Sequence, residues 1–226
     1  MISLITRKQK ECLKKELKKE LHDSAKLRSF LINFPEEDLP SNFYLYREID
    51  NYIRKGDYFI VKELFKRREE KQYKSFSPSD FLDSACEAGH LDILKYLIRQ
   101  GADINSYHGN PLLCAIKKDR VEIVKYLIFM GVNFHRNEEE ALMTACKKGN
   151  LEIVKILVEA GADVNADNHF SIVSACYNGS LEVVKYLVEK GCPVVSDTFF
   201  WAERKKFKEL MEYLEKNKYS VYKQNK

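Results

Sequence analysis

No stretch of 18 or more apolar residues occurs in the 226-residue chain, so no segment reads as a membrane-spanning helix. The opening residues, Met1 to Thr6, are apolar too briefly before Arg7 and Lys8 to form a signal-peptide core. A cytoplasmic or nuclear location is therefore expected. There is no glycine-rich phosphate loop, no H-E-x-x-H and no C-x-x-C. No serine, histidine and acid set carries a recognisable local signature. Catalysis and a cofactor are not expected.

A metal site is not expected either. His108, His135 and His169 fall in or near successive turns, but their spacings of 27 and 34 put them at different turn positions. Convergence on one ion through bonds of about 2 Å would need equivalent placement, and no carboxylate pattern accompanies them. Six cysteines invite a disulfide or zinc reading. Three of them, Cys86, Cys146 and Cys176, stand two residues after Ser84, Thr144 and Ser174, while Cys114 lies one residue before Ala115. Equivalent positions on stacked helices lie about 8–10 Å apart, beyond the roughly 7 Å between Cα atoms that a disulfide tolerates. Small thiols buried in tight helix contacts are the expected outcome.

Charge is present in both signs but unevenly. Residues 1–34 carry nine Lys or Arg against four Asp or Glu, and residues 201–226 carry eight against four. With a net charge of +4 overall, the body between them is mildly acidic. Basic ends can meet nucleic acid or an anionic membrane, or can be solvated helix faces.

The sequence does hold a repeat. Gly149 to Gly161 reads G-N-L-E-I-V-K-I-L-V-E-A-G. It recurs as G-S-L-E-V-V-K-Y-L-V-E-K-G from Gly179, as G-H-L-D-I-L-K-Y-L-I-R-Q-G from Gly89, and as D-R-V-E-I-V-K-Y-L-I-F-M-G from Asp119. The start positions differ by 30 each time, a period that marks a repeat architecture. Each unit predicts two helices. The short A helices are Asp80–Ala88, Asn110–Lys118, Glu140–Lys148 and Phe170–Asn178. Small Ala85, Ala115, Ala145 and Ala175 at their centres would let backbones approach. Gly89, Gly149 and Gly179 end them in the left-handed cap conformation, with Asp119 as the exception. The B helices open on the N-caps Asn150 and Ser180, with Asp92, Glu152 and Glu182 in the first turn. Ile93, Leu94, Leu97 and Ile98 sit at i, i+1, i+4, i+5, a face packed on both sides. Tyr96, Tyr126 and Tyr186 repeat at one B-helix position and predict a core ladder. Gly101, Gly131, Gly161 and Gly191 close the B helices, and turns such as Gly161-Ala162-Asp163-Val164-Asn165 follow.

Helix–turn–helix followed by G-A-D-[IV]-N resembles the ankyrin repeat, strongly over residues 76–197 and more loosely over 43–217. These units are 30 residues long where the family unit is about 33. The family's T-P-L-H signature survives only as Asn110-Pro111-Leu112-Leu113. The shorter unit is similar to repeats of giant DNA viruses of amoebae. The resemblance implies an all-α ankyrin-repeat solenoid with short inter-repeat turns and degenerate capping units at both ends. Residues 1–34 read as a basic N-terminal helical extension. The repeat domain is expected over 35–217, comprising a degenerate first unit at 43–75, four matching units at 76–197 and a C-terminal cap at 198–217. Residues 218–226 form a polar tail.

The family likeness further implies a non-catalytic protein–protein interaction module, expected to be monomeric, that meets its partner on the concave A-helix face and the turn tips. Lys117, Lys118, Lys147 and Lys148 occupy the last two A-helix positions before the cap in adjacent units. They are either cations complementing helix C-termini or a basic patch for an acidic partner surface. Tyr177 and Asn178 fill the same slot in the next unit. Tyr107, His108, Asn110, His135, Arg136, Asn137, Asn168, His169 and Phe170 form the turn-tip candidates. Two other readings stand beside this one. In the first, residues 1–34 recruit a second protein, such as a ubiquitin-ligase subunit, making the chain an adaptor. In the second, the basic ends bind nucleic acid or an anionic membrane.

Overall fold

The computed structural model describes residues 42–70, 76–105, 110–133 and 140–217. The helices are α1 (Asn42–Lys55), α2 (Tyr58–Glu70), α3 (Leu82–Ala88), α4 (Leu91–Arg99), α5 (Pro111–Lys117) and α6 (Val121–Phe129). They continue as α7 (Glu140–Lys148), α8 (Leu151–Glu159), α9 (Ala166–Asn178), α10 (Leu181–Glu189), α11 (Ser196–Arg204) and α12 (Lys208–Asn217). No strand occurs among the described residues. The expected extension at 1–34 and the tail at 218–226 lie outside them.

The chain divides into two compact units, Met1–Ser77 and Pro78–Lys226. In the first, α1 packs on α2 across Gly56, and Ile49, Ile53, Ile60 and Phe65 are fully buried. The Asp57 carboxylate accepts from the Ile60 amide at 3.2 Å and caps α2. The Tyr46 ring meets Phe76 edge-on with centroids 6.2 Å apart.

In the second unit, odd-numbered helices are the A helices and even-numbered ones the B helices. Each A helix packs on the next, α3 on α5, α5 on α7, α7 on α9 and α9 on α11. Fully buried Ala85, Ala115, Ala145 and Ala175 permit that approach. The B helices meet their neighbours more sparingly. Between the layers, Ile93, Leu94, Leu97, Ile153, Val154 and Leu157 are fully buried. Each such side chain contributes roughly 1.5–3 kcal/mol.

One hydrogen bond fixes the register of every unit. The residue after the cap donates its amide to the central alanine: His90 to Ala85, Arg120 to Ala115, Asn150 to Ala145, Ser180 to Ala175 and Phe207 to Ala202. That bond needs a left-handed residue at the cap. Gly149 and Gly179 supply it at φ 76° and 77°, but Asp119 and Lys206 also adopt it, at 55° and 60°. The slot dictates the conformation even where the residue resists it, at about 1–2 kcal/mol. The connecting turns are stitched by short side chains. Asp103 and Asp163 accept from the amides of Asn105 and Asn165 at 2.9 and 2.8 Å, and Asn105 accepts from the Asn133 amide at 2.8 Å.

Several expectations are adjusted. The first A helix begins at Leu82 rather than Asp80, because Pro78–Phe81 forms a turn of 3-10 helix ahead of it. In α9 the residues Asp167, Asn168 and His169 have positive φ, so regular α-geometry starts at Phe170 as expected. The C-terminal cap, expected from residue 198, starts at Ser196, and its two helices are Ser196–Arg204 and Lys208–Asn217. Asn150 caps α8 through the Ile153 amide at 3.1 Å, but Ser180 makes no such bond to α10. Its hydroxyl oxygen instead accepts from the Asn178 side chain at 2.7 Å. The expected tyrosine ladder is core at one position and half-buried at the other two. Tyr96 is buried, yet Tyr126 and Tyr186 are half-exposed and lie under Lys95 and Lys155, at 5.2 and 5.8 Å from the ring centroids.

Candidate partner-binding surface

The A-helix ends collect the expected lysines. Lys117, Lys118, Lys147 and Lys148 are all exposed. They do not act alike. The Lys148 ammonium pairs with Asp119 at 2.9 Å, and Asp119 also accepts from the Asn150 side chain at 3.2 Å. The left-handed cap at Asp119 thus neutralises the lysine of the next unit. Lys117 faces Asp83, whose carboxyl burial pushes above its ordinary range, opposed by the Asn110 backbone amide, the Cys114 thiol and Lys117.

Lys147 belongs to a different feature. A groove of about 240 Å³ opens across three consecutive A helices. Helix α7 supplies Met143 and Lys147, α9 supplies Phe170, Val173, Ser174 and Tyr177, and α11 supplies Trp201. Phe170 and Tyr177 are 49% and 40% exposed, large rings left in water on a face otherwise short of them. Tyr177 meets Trp201 edge-on at 4.8 Å, and Phe200 extends the cluster at 5.1 Å from Trp201. Lys205 lies 4.5 Å over the Tyr177 ring, and Arg204 lies 5.8 and 5.9 Å over Phe200 and Trp201. These are cation–π distances.

The repeat explains why these residues meet. Counting back from the left-handed Lys206, Trp201 holds the slot of Ser174 and Thr144, and Arg204-Lys205 hold the slot of Lys147-Lys148 and Tyr177-Asn178. A ring therefore replaces a small residue at the groove's end, and cations stand on both sides of Tyr177. Lys147, Phe170 and Tyr177 are brought together as sequence candidates. The sequence reading missed Met143, Val173, Ser174, Phe200, Trp201, Arg204 and Lys205. The signal lay in aligning the last unit on its cap residue rather than on the 30-residue period, from which it has slipped by three.

The remaining candidates scatter. Asn110 serves as the N-cap of α5, accepting from the Leu113 amide at 3.0 Å. Asn168 is exposed in the left-handed turn, while His169 is half-buried with Nδ1 lacking a hydrogen-bond partner. Asn178 is exposed and donates to Ser180. Tyr107, His108, His135, Arg136 and Asn137 lie outside the described residues.

The described cysteines are free thiols. Cys86, Cys146, Cys176 and Cys192 are buried and Cys114 half-buried. Burial pushes Cys114 up to about 11 and Cys176 and Cys192 up to about 12. Among the described residues no group of three His, Cys, Asp or Glu side chains is placed to hold a metal ion. No helix among them is long and apolar enough to cross a membrane.

Paired short helices stacked through buried alanines, with a groove across the A layer, define a helical-repeat protein. The chain belongs to the ankyrin-repeat family: the family model for ankyrin repeats, in three copies, matches residues 51–138 and 130–198. Ankyrin repeats are generally protein–protein interaction modules and are typically non-catalytic. No curated protein matches the chain.

Proposed function

We propose that this chain is a non-catalytic recognition module that takes a partner protein on the concave A-helix face, with the turn tips flanking the contact. The observation that carries the reading is the groove across α7, α9 and α11, where aromatic side chains remain exposed beside cations. Aromatic and arginine side chains are the usual anchors of protein interfaces. A surface built on packed helices is already ordered, so association costs less entropy there than on a loop. The chain acts as a monomer inside the cell, in the cytoplasm or nucleus. The 30-residue unit, similar to that of giant DNA viruses of amoebae, supports a host cell as the setting. An adaptor role would place a second partner on residues 1–34.

Affinity capture from native lysate tests the reading, with the intact chain beside Tyr177→Ala/Trp201→Ala and a B-layer control, Lys155→Glu. Circular dichroism checks that all three fold. A protein held by the intact chain and the control but lost from the groove variant is the expected result. Equal capture by all three would move recognition off the A face.

A further inference from the structure

We infer that the groove recognises a peptide segment in which a bulky apolar side chain is flanked by carboxylates. The inference rests on the reading above, that the A face meets a protein, and adds what that protein must present. Size argues first. At about 240 Å³ the groove falls below the roughly 300–1,000 Å³ of small-molecule sites, so it suits one or two side chains of a longer chain. Its walls argue next. Met143, Val173 and the rings of Phe170, Tyr177 and Trp201 offer apolar surface, and Met adapts to irregular shapes.

Charge decides the flanks. Several cations of this unit are matched within it. Lys125 sits between Glu122 and Glu152 at 3.0 and 2.9 Å, Lys148 holds Asp119 at 2.9 Å, and Lys185 holds Glu182 at 2.7 Å. Among the described residues, Lys147, Arg204 and Lys205 hold no such carboxylate. They are the cations that border the groove, and no acid lines it. A basic ligand would meet like charge on both sides, whereas an acidic one would supply the missing partners. A duplex phosphate backbone would answer the charge but leave the apolar walls unfilled, because its bases are stacked inside; a single strand is the rival that the test includes.

Selection of a random peptide library displayed on phage against the full chain tests this. Trp201 is the only tryptophan, so its emission reports the groove directly. The selected peptides should place Phe, Leu or Met beside Asp or Glu. A synthetic, tryptophan-free copy should shift Trp201 emission. Lys147→Glu/Lys205→Glu should weaken it roughly tenfold at low salt, with the gap narrowing as salt rises, while Lys216→Glu leaves it unchanged. Peptides lacking acids that still shift the emission would overturn the charge inference and leave A-face recognition intact. The same holds for acidic peptides indifferent to the double reversal. Failure to select any peptide, or tighter binding of a single-stranded oligonucleotide with the same emission shift, would also overturn it. If selected peptides leave Trp201 unmoved and Trp201→Ala leaves partner capture intact, both readings fall.

Discussion

At the scale of single residues, two glycines in the same conformation differ in what surrounds them. Gly179 and Gly191 both have positive φ, at 77° and 91°. A Cβ at Gly179 would meet the Phe207 ring at 2.6 Å, whereas one at Gly191 would meet nothing within 4 Å. Gly191→Ala should therefore cost only the left-handed strain, about 1–2 kcal/mol. Gly179→Ala should cost more, because the Phe207 ring must move as well. Chemical denaturation of the two variants checks the order. The buried thiols make a second prediction, in pH. An unfolded cysteine ionises near 8.5, but burial holds Cys176 and Cys192 protonated up to about 12. In that window the folded chain binds more protons than the unfolded one, so stability is intact below about pH 8.5 and falls as pH rises through it. Thermal midpoints should drop between pH 8.5 and 11. Cys176→Ala/Cys192→Ala should start less stable at pH 7 and show a shallower decline. Iodoacetamide at pH 8 should modify the described cysteines only slowly while the chain is folded, with Cys114 first.

At the scale of helices, capping residues that look alike in sequence do different things. Asn150 closes the first turn of α8, while Ser180 at the same position is turned toward Asn178. Asn150→Ala should cost about 1 kcal/mol and Ser180→Ala at most a few tenths, read from urea midpoints at constant slope. Much of this level was legible beforehand. The 30-residue period, the central alanines and the capping glycines located the helix pairs, because each is a local demand of backbone geometry. The slots of Lys147 and Tyr177 followed from the same register. What stayed hidden depended on distances between units. Sequence spacing does not reveal that Asp119, 29 residues before Lys148, neutralises it. Nor does it reveal that Tyr126 and Tyr186 stand at the rim of the core under lysines of the preceding unit. Trp201 was missed for a third reason: the last unit slips by three residues, so its groove position no longer falls on the period.

At the scale of the second unit, stability should follow position in the stack. In a repeat array each pair is held by its neighbours, so a pair flanked on both sides outlasts one flanked on a single side. The pairs α5–α6, α7–α8 and α9–α10 have neighbours before and after, while among the described residues nothing packs beyond α11–α12. Hydrogen exchange should therefore be slowest in α7–α10 and fastest in α12, with α11 between. The groove gives that gradient a functional consequence. Two of its walls stand on the protected helices α7 and α9, but Trp201 and the bordering Arg204 and Lys205 belong to the less protected α11. A peptide that bridges all three binds the docked arrangement and not the one in which α11 has opened. It must then shift the opening equilibrium by its own mass action, roughly 2.7 kcal/mol at a hundredfold excess over its Kd. Saturating peptide should slow exchange most in α11 and α12 and little in α5–α8, which rarely open on their own. Uniform slowing across the stack would mean that the ligand senses global unfolding only. Slowing confined to α7 and α9 would mean that Trp201 borders the groove without being gripped by what fills it.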